Sequence, residues 1–187
     1  MVLDQEGVEQ HASCWSPDGD WIAYQRVNAG NNELVKIPLG GGKPVVLGES
    51  TRGADFIDWS PDGKWICHPF RGHPRLVSAD GQQQQQVLNS PGTAALGFSS
   101  DSSTLYAVRR NAAHRWELAV FSIPDGREQK VTPLDLPLSA KVSGFSLHPG
   151  RKSFATSVGT SRQDIWLLDG FHQPSPWSLR RWLQPSS

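Results

Sequence analysis

Apolar residues along the chain come in short bursts, and clusters of turn residues separate the bursts. Trp21-Ile22-Ala23-Tyr24, Leu34-Val35-Lys36-Ile37, Pro44-Val45-Val46-Leu47, Trp65-Ile66-Cys67-His68, Arg75-Leu76-Val77 and Leu118-Ala119-Val120-Phe121 are typical. Most are rich in aromatic or β-branched residues and bounded by Gly, Pro, Asp or Ser, the pattern of strands between tight turns. No segment sustains a 3.6-residue apolar period between helix caps, so the chain is expected to be all-β.

The bursts recur as a unit. Cys14-Trp15-Ser16-Pro17-Asp18-Gly19-Asp20-Trp21-Ile22-Ala23 returns as Asp58-Trp59-Ser60-Pro61-Asp62-Gly63-Lys64-Trp65-Ile66-Cys67, with seven of ten positions identical. Weaker copies begin at Gly97-Phe98-Ser99 and Leu147-His148-Pro149. Aligning Ser16, Ser60, Ser99 and His148 gives spacings of 44, 39 and 49 residues, which suit the four-stranded blade of a β-propeller. In Ser-Pro-Asp-Gly, Pro presets φ, Asp bonds the local backbone and Gly takes the left-handed position. A second turn follows in each unit, at Gly40-Gly41-Gly42, Asp80-Gly81, Asp125-Gly126 and Asp169-Gly170. Each unit is thus expected to form antiparallel strands A, B, C and D. The expected blades are residues 11–50, 51–90, 91–139 and 140–172, within a propeller segment spanning 1–172 and followed by a tail at 173–187.

The Trp-Ser-Pro-Asp-Gly-x-Trp-Ile-Ala unit at 15–23, with Asp-Ile-Trp-Leu-Leu-Asp-Gly at 164–170, resembles the WD-type repeat of TolB-like β-propellers. The propellers of prolyl oligopeptidase-type peptidases share that repeat. Residues 164–171 also resemble the last blade of C-terminal sensory propellers in bacterial winged-helix regulators and Ser/Thr kinases. The resemblance implies a non-catalytic interaction or sensory module, TolB-like. The alternatives are the propeller of a peptidase whose catalytic domain is absent, and the sensory end of a membrane-anchored regulator or kinase. Propellers host many functions, so the resemblance specifies fold more than role. Units three and four depart from it: Ser102 stands where the turn Gly is expected, and Gly150-Arg151 replaces Asp-Gly, which predicts looser turns.

Leu3 precedes Trp15 by 12 residues, as Leu47 precedes Trp59. Residues 1–3 therefore read as the end of a D strand from an incomplete blade. Pro174 and Pro176 fall where the last D strand should run, and proline cannot donate in a ladder. Two arrangements fit. The chain is the C-terminal part of a propeller of about six to eight blades, with upstream blades of the same protein missing and an apolar blade face exposed. Otherwise four blades close on themselves through residues 1–5. Three residues make a poor closing strand, which favours the first.

Composition removes several functions. Eighteen Lys and Arg balance eighteen Asp and Glu, so net charge draws the chain to neither nucleic acid nor membrane. No basic-aromatic interleaving marks a nucleic-acid stacking platform. No apolar run approaches the roughly 20 residues of a membrane span, and residues 1–7 lack the basic-then-apolar order of a signal peptide. Location stays open, periplasmic if the chain is TolB-like. Cys14 and Cys67 read as two unbridged small hydrophobes.

No cofactor, metal or catalytic residue is expected. Gly-x-Ser-x-Gly, His-Glu-x-x-His and Cys-x-x-Cys are all missing, and Gly40-Gly41-Gly42-Lys43-Pro44 lacks phosphate-loop spacing. Asp18, Asp62 and Asp101 occupy equivalent turn positions and are expected to bond their own turns. His148 takes a turn position, while His73 and His114 fall in loops. Residues 82–86 form a glutamine run in an outer strand. Trp177, Arg180, Arg181 and Trp182 lie in the terminal tail. One distribution stands out. The segments between strands B and C carry Arg26, Arg71, Arg75, Arg109, Arg110, Arg115 and Arg162, against Glu33 and Asp164. Loops from successive blades share a face, so these seven are the candidate binding residues for a protein partner with an acidic surface.

Overall fold

The computed structural model describes residues 9–28, 30–51, 56–86, 90–123, 125–148, 153–160, 166–169 and 178–181. Among them are sixteen strands and no helix: β1 (Glu9–Trp15), β2 (Trp21–Asn28), β3 (Asn31–Pro38), β4 (Val45–Glu49), β5 (Asp58–Trp59), β6 (Trp65–Phe70), β7 (His73–Ser78), β8 (Gln84–Gln86), β9 (Thr93–Phe98), β10 (Thr104–Arg110), β11 (Trp116–Ser122), β12 (Glu128–Pro133), β13 (Lys141–Leu147), β14 (Phe154–Gly159), β15 (Trp166–Asp169) and β16 (Ser178–Arg181). Three four-stranded sheets follow chain order: β1 to β4, β5 to β8 and β9 to β12. All are antiparallel, so each unit is a meander of hairpins, as its turns predict. The backbone of the glutamine run pairs with β7 as an outer strand.

Register repeats with the sequence. Trp15 pairs with Ile22, Trp59 with Ile66, Phe98 with Leu105 and Leu147 with Phe154. Each A–B turn is closed the same way. Ser16 N donates to Trp21 O at 2.9 Å, Ser60 N to Trp65 O at 2.8 Å, Ser99 N to Thr104 O at 2.9 Å and His148 N to Ser153 O at 2.9 Å. The serine side chain explains the repeat's chemistry. Ser60 Oγ donates to Asp62 Oδ1 at 2.6 Å and accepts from Trp65 N at 2.9 Å, while Lys64 N donates to the same carboxylate oxygen at 3.1 Å. Ser16 with Asp18 and Ser99 with Asp101 do likewise. Ser78 with Asp80 repeats the device at a C–D turn.

The looser third turn is not found. Ser102 adopts the left-handed conformation at φ 59°, as Gly63 does at 76°, and its N–H donates to Ser99 O at 2.9 Å. A left-handed non-glycine residue is strained. Ser102 is compensated by its buried hydroxyl, which accepts from Asp62 N of the preceding blade at 2.9 Å.

Side chains alternate across each strand, so the core forms layers between blades. Ala23, Leu34, Leu47, Trp59, Ile66 and Val77 fill the first layer. Cys67, Leu76, Leu96, Phe98, Leu105, Ala107, Ala119 and Phe121 fill the second. Ala95, Val108, Trp116, Ala140 and Val142 fill the third. Asp58 bridges the inner strands: Trp59 N donates to its Oδ1 at 3.0 Å, and Phe98 N of the next blade to its Oδ2 at 2.9 Å. Both cysteines are free, as expected.

An exposed apolar face appears only in part. Trp15 is 60% exposed, whereas its repeat equivalent Trp59, covered by the first blade, is 7% exposed. On the same outer face of the first blade, Tyr24, Val35 and Ile37 are buried. In the fourth unit β13 pairs with β14, and β15 with β16. β16 lies beyond residue 172, in the stretch read as a tail; it starts after Pro176, so neither proline interrupts its ladder. Residues 1–5, Gly150-Arg151, Arg162, Pro174, Pro176, Trp177 and Trp182 lie outside the described residues.

Candidate partner-binding face

The B–C turns and the D–A connections emerge at one end of the blades and brace one another. Arg71 N, at the second B–C turn, donates to Thr51 Oγ1 of the preceding D–A connection at 2.7 Å. In the third blade Asn111 Oδ1 accepts from Ala113 N and Arg115 N, both at 3.0 Å. These turns are held by their backbones, and the Arg71 and Arg115 residues are left exposed.

The structure places the six described arginines of the seven in unequal surroundings. Arg26 stands opposite Glu33 in the ladder, and its Nε and Nη2 donate to Glu33 Oε2 at 3.0 and 2.6 Å. Arg109 stands opposite Glu117; its Nε lies 2.8 Å from Glu117 Oε1 and its Nη2 2.8 Å from Glu128 Oε2. Arg110 donates through Nη2 to Leu138 O and Ala140 O at 2.9 and 2.8 Å and lies 4.6 Å from the Trp116 ring centroid. The Arg75 and Arg71 guanidinium groups stand over the Phe70 ring at 3.2 and 4.9 Å. Burial pulls the Arg75 pKa below its ordinary value, with Glu49 opposing.

The six of them that the structure describes therefore differ in how much of their charge is offset by carboxylates. Arg26 is neutralised, and Arg109 sits between two carboxylates. Arg71 and Arg115 are exposed, and Arg110 is bonded to neutral carbonyl oxygens. Counting charges within loop segments misses the cause, because Glu117 and Glu128 stand on strands C and D. A two-residue shift of attention, from loop to ladder partner, would have found Glu117.

The same end holds two hollows. One, of about 440 Å³, is lined by Asn32, Glu33, Glu49, Ser50, Phe70 and Arg71 among others. The other, of about 620 Å³, is lined by Pro91, Arg109, Arg110, His114, Glu117 and Glu128 among others. On the opposite end a cleft of about 490 Å³ lies between the first two blades beside Trp21, Trp59 and Trp65. There Lys36 Nζ donates to Ala79 O at 2.7 Å and stands 4.4 Å over Trp21.

One constellation escaped the sequence. Ser50 Oγ lies 3.4 Å from His68 Nδ1, and both residues are buried. Burial, reinforced by the charge of Arg75, pushes the His68 pKa down to about 4. A Ser–His nucleophile needs a shorter contact, of about 2.6–3.2 Å, and a third group orienting the imidazole. His68 Nε2 has no such partner, so this geometry is not that of a catalytic triad. Among the described residues no group of three or more His, Cys, Asp or Glu is placed to hold a metal ion.

No family model matches the chain, and no curated protein matches it. Solved structures do. TolB from Acinetobacter baumannii aligns with a TM-score of 0.62 at 18% identity, over 86% of this chain and 40% of that one. The putative TolB from Agrobacterium tumefaciens aligns at 0.63 with 17% identity, over 84% of this chain and 57% of that one. The fold is a TolB-like β-propeller. A chain of the nidogen/laminin complex gives 0.66 at 12% identity, over 83% and 59%. The present propeller blades thus span about 40–59% of the length of these chains.

Proposed function

We propose that the chain is a non-catalytic protein-interaction module that binds through the face made by its B–C turns and D–A connections. The observation that carries this reading is the pair of hollows on that one face, with Arg71, Arg110 and Arg115 at or beside them. Braced turns offer a preformed surface, which lowers the ordering cost of association. The three arginines suit a partner with an acidic strip, and their contribution lies more in association rate than in affinity. The neighbour from the nidogen/laminin complex was solved as part of a protein–protein complex, which supports protein binding by such a scaffold. The exposure of Trp15, where Trp59 is covered, supports preceding blades of the same protein as a further neighbour.

The test is site-specific photo-cross-linking in the producing cells. A cross-linker at position 71 or 115 should capture a discrete protein adduct, and one at position 64 or 125, at the opposite end, should not. Adducts confined to positions 64 and 125 would reject this face.

A further inference from the structure

The cleft of about 490 Å³ between the first two blades lies at their A–B and C–D turns, opposite the two hollows. The repeat builds it. Trp21 and Trp65 open strand B in successive blades, 44 residues apart. Both are half-buried, and both line the cleft together with Trp59. The Trp59 ring is fixed by its indole N–H, which donates to Gly63 O at 3.1 Å. Around these rings the turns supply polar lining: Asp18 from the first blade, and Lys64, Asp80 and Gln83 from the second.

That lining has hydrogen-bonding capacity which the fold does not use. Asp18 Oδ1 accepts from Ser16 Oγ and Asp20 N, and Asp80 Oδ1 accepts from Ser78 Oγ and Gln82 N. The Oδ2 atoms of these exposed carboxylates accept no hydrogen bond from the described residues, and the Gln83 side-chain amide makes none. An ionised carboxylate only accepts, so a ligand here must bring donors. One ammonium group is already in place. Lys36 Nζ donates to Ala79 O at 2.7 Å and stands 4.4 Å over Trp21. The Ser16 and Ser78 hydroxyls, with a smaller part from the Lys36 charge, hold the Asp18 and Asp80 carboxyls below their ordinary pKa. Lys36 is therefore within electrostatic reach of both. Lys64 lies 3.7 Å from Asp62. An added cation meets Lys36 and an added anion meets two carboxylates, so the fixed charges favour a neutral donor. A proline-rich segment would suit the rings but lacks the N–H groups. Hydroxyl groups meet the requirement: they donate to the carboxylates and accept from the Gln83 amide. A sugar ring carries hydroxyls around its rim, and its C–H faces pack on the electron-rich face of an aromatic ring. Trp21 already carries Lys36, which leaves Trp65 as the platform. The volume falls within the roughly 300–1,000 Å³ of small-ligand clefts. We propose that this cleft binds a neutral pyranose sugar, packed on Trp65 and hydrogen-bonded to Asp18, Asp80 and Gln83.

The test uses the whole 187-residue chain and residues at the end opposite the partner-binding face, so its outcome is independent of that reading. D-Glucose, D-galactose, D-mannose, N-acetyl-D-glucosamine and cellobiose are titrated while NMR follows the Trp65 indole N–H and the Gln83 side-chain amide. Butylamine, inorganic phosphate and a proline-rich peptide are titrated in parallel. Saturable shifts at both groups are expected with at least one of the sugars. Its affinity should fall about tenfold in Asp80→Asn, which removes a charge-assisted hydrogen bond. Affinity should also fall in Gln83→Ala and stay unchanged in Lys130→Ala, an exposed position on the third blade. Gln83 is exposed and its side chain makes no bond to the fold, so Gln83→Ala decides if Asp80→Asn does not fold. The assignment is overturned by no saturable shift with any sugar, by sugar binding indifferent to both variants, or by binding of butylamine, phosphate or the peptide without any sugar.

Discussion

Replacing Gly97 with Ala probes how closely the third and fourth blades approach. A Cβ at this position would stand 2.5 Å from Phe145 Cδ1 and 3.0 Å from its Cε1. Carbon contacts are comfortable at about 3.5–4.0 Å, so the ring must retreat by about 1 Å. It has little room to do so, because Phe145 stacks on Phe154 at 5.2 Å and on Tyr106 at 6.2 Å between ring centroids. Forced overpacking of this kind costs about 1–3 kcal/mol. At about 2–4 °C per kcal/mol for a chain of this size, the melting temperature should fall by about 2–12 °C. Circular dichroism melts and urea titrations followed by tryptophan fluorescence both measure it. The steric origin has its own check. Phe145→Leu should destabilise the parent but recover stability in the Gly97→Ala background, with a coupling above about 0.5 kcal/mol. A Gly97→Ala protein within about 0.3 kcal/mol of the parent, beneath the additivity error, would refute the packing described.

Further predictions follow from the same structure. Arg109→Ala leaves Glu117, 9% exposed, without its main partner and should cost about 1–3 kcal/mol, whereas Arg71→Ser should stay within about 0.5 kcal/mol; urea midpoints compare the two. The Ser16 and Ser78 hydroxyls hold the Asp18 and Asp80 carboxyls below their ordinary pKa. That stability is present above the unfolded value of about 3.9 and is lost as pH falls through the lower folded values. The Ser16→Ala deficit should therefore be largest at pH 7 and shrink at strongly acid pH to the part owed to the lost Trp21 N–H bond, with Asp18 titrating nearer its ordinary value by NMR. Burial pushes the Cys14 thiol up to about 12 and the Cys67 thiol well above its usual value, so iodoacetamide at pH 8 should label both only after unfolding in urea.

Much of the fold was legible because its determinants are local. Ser, Asp and Trp of one turn lie within five residues of one another, as in Ser60, Asp62 and Trp65, and the ten-residue copy fixes the blade they belong to. What was not legible joins distant residues. Asp62 meets Ser102 across 40 positions, and Ser50 meets His68 across 18. The substitution of Gly by Ser at 102 reads as a defect until the neighbouring turn is beside it. The arginines show the same boundary. Their segments were read as one end of the blades, but Glu128 reaches Arg109 from strand D, where no loop-by-loop count of charge would place it.

Association kinetics with the cross-linked partner decide whether the B–C end is the partner-binding face. The unmodified chain, an Arg71→Ser/Arg115→Ser double variant and Lys64→Ser are compared at low and high salt. The double variant should associate more slowly at low salt, the difference should shrink as salt screens the charges, and Lys64→Ser should behave as the parent. Equal rates for the double variant and the parent at both salt concentrations, with a slower Lys64→Ser, would contradict binding at the B–C end.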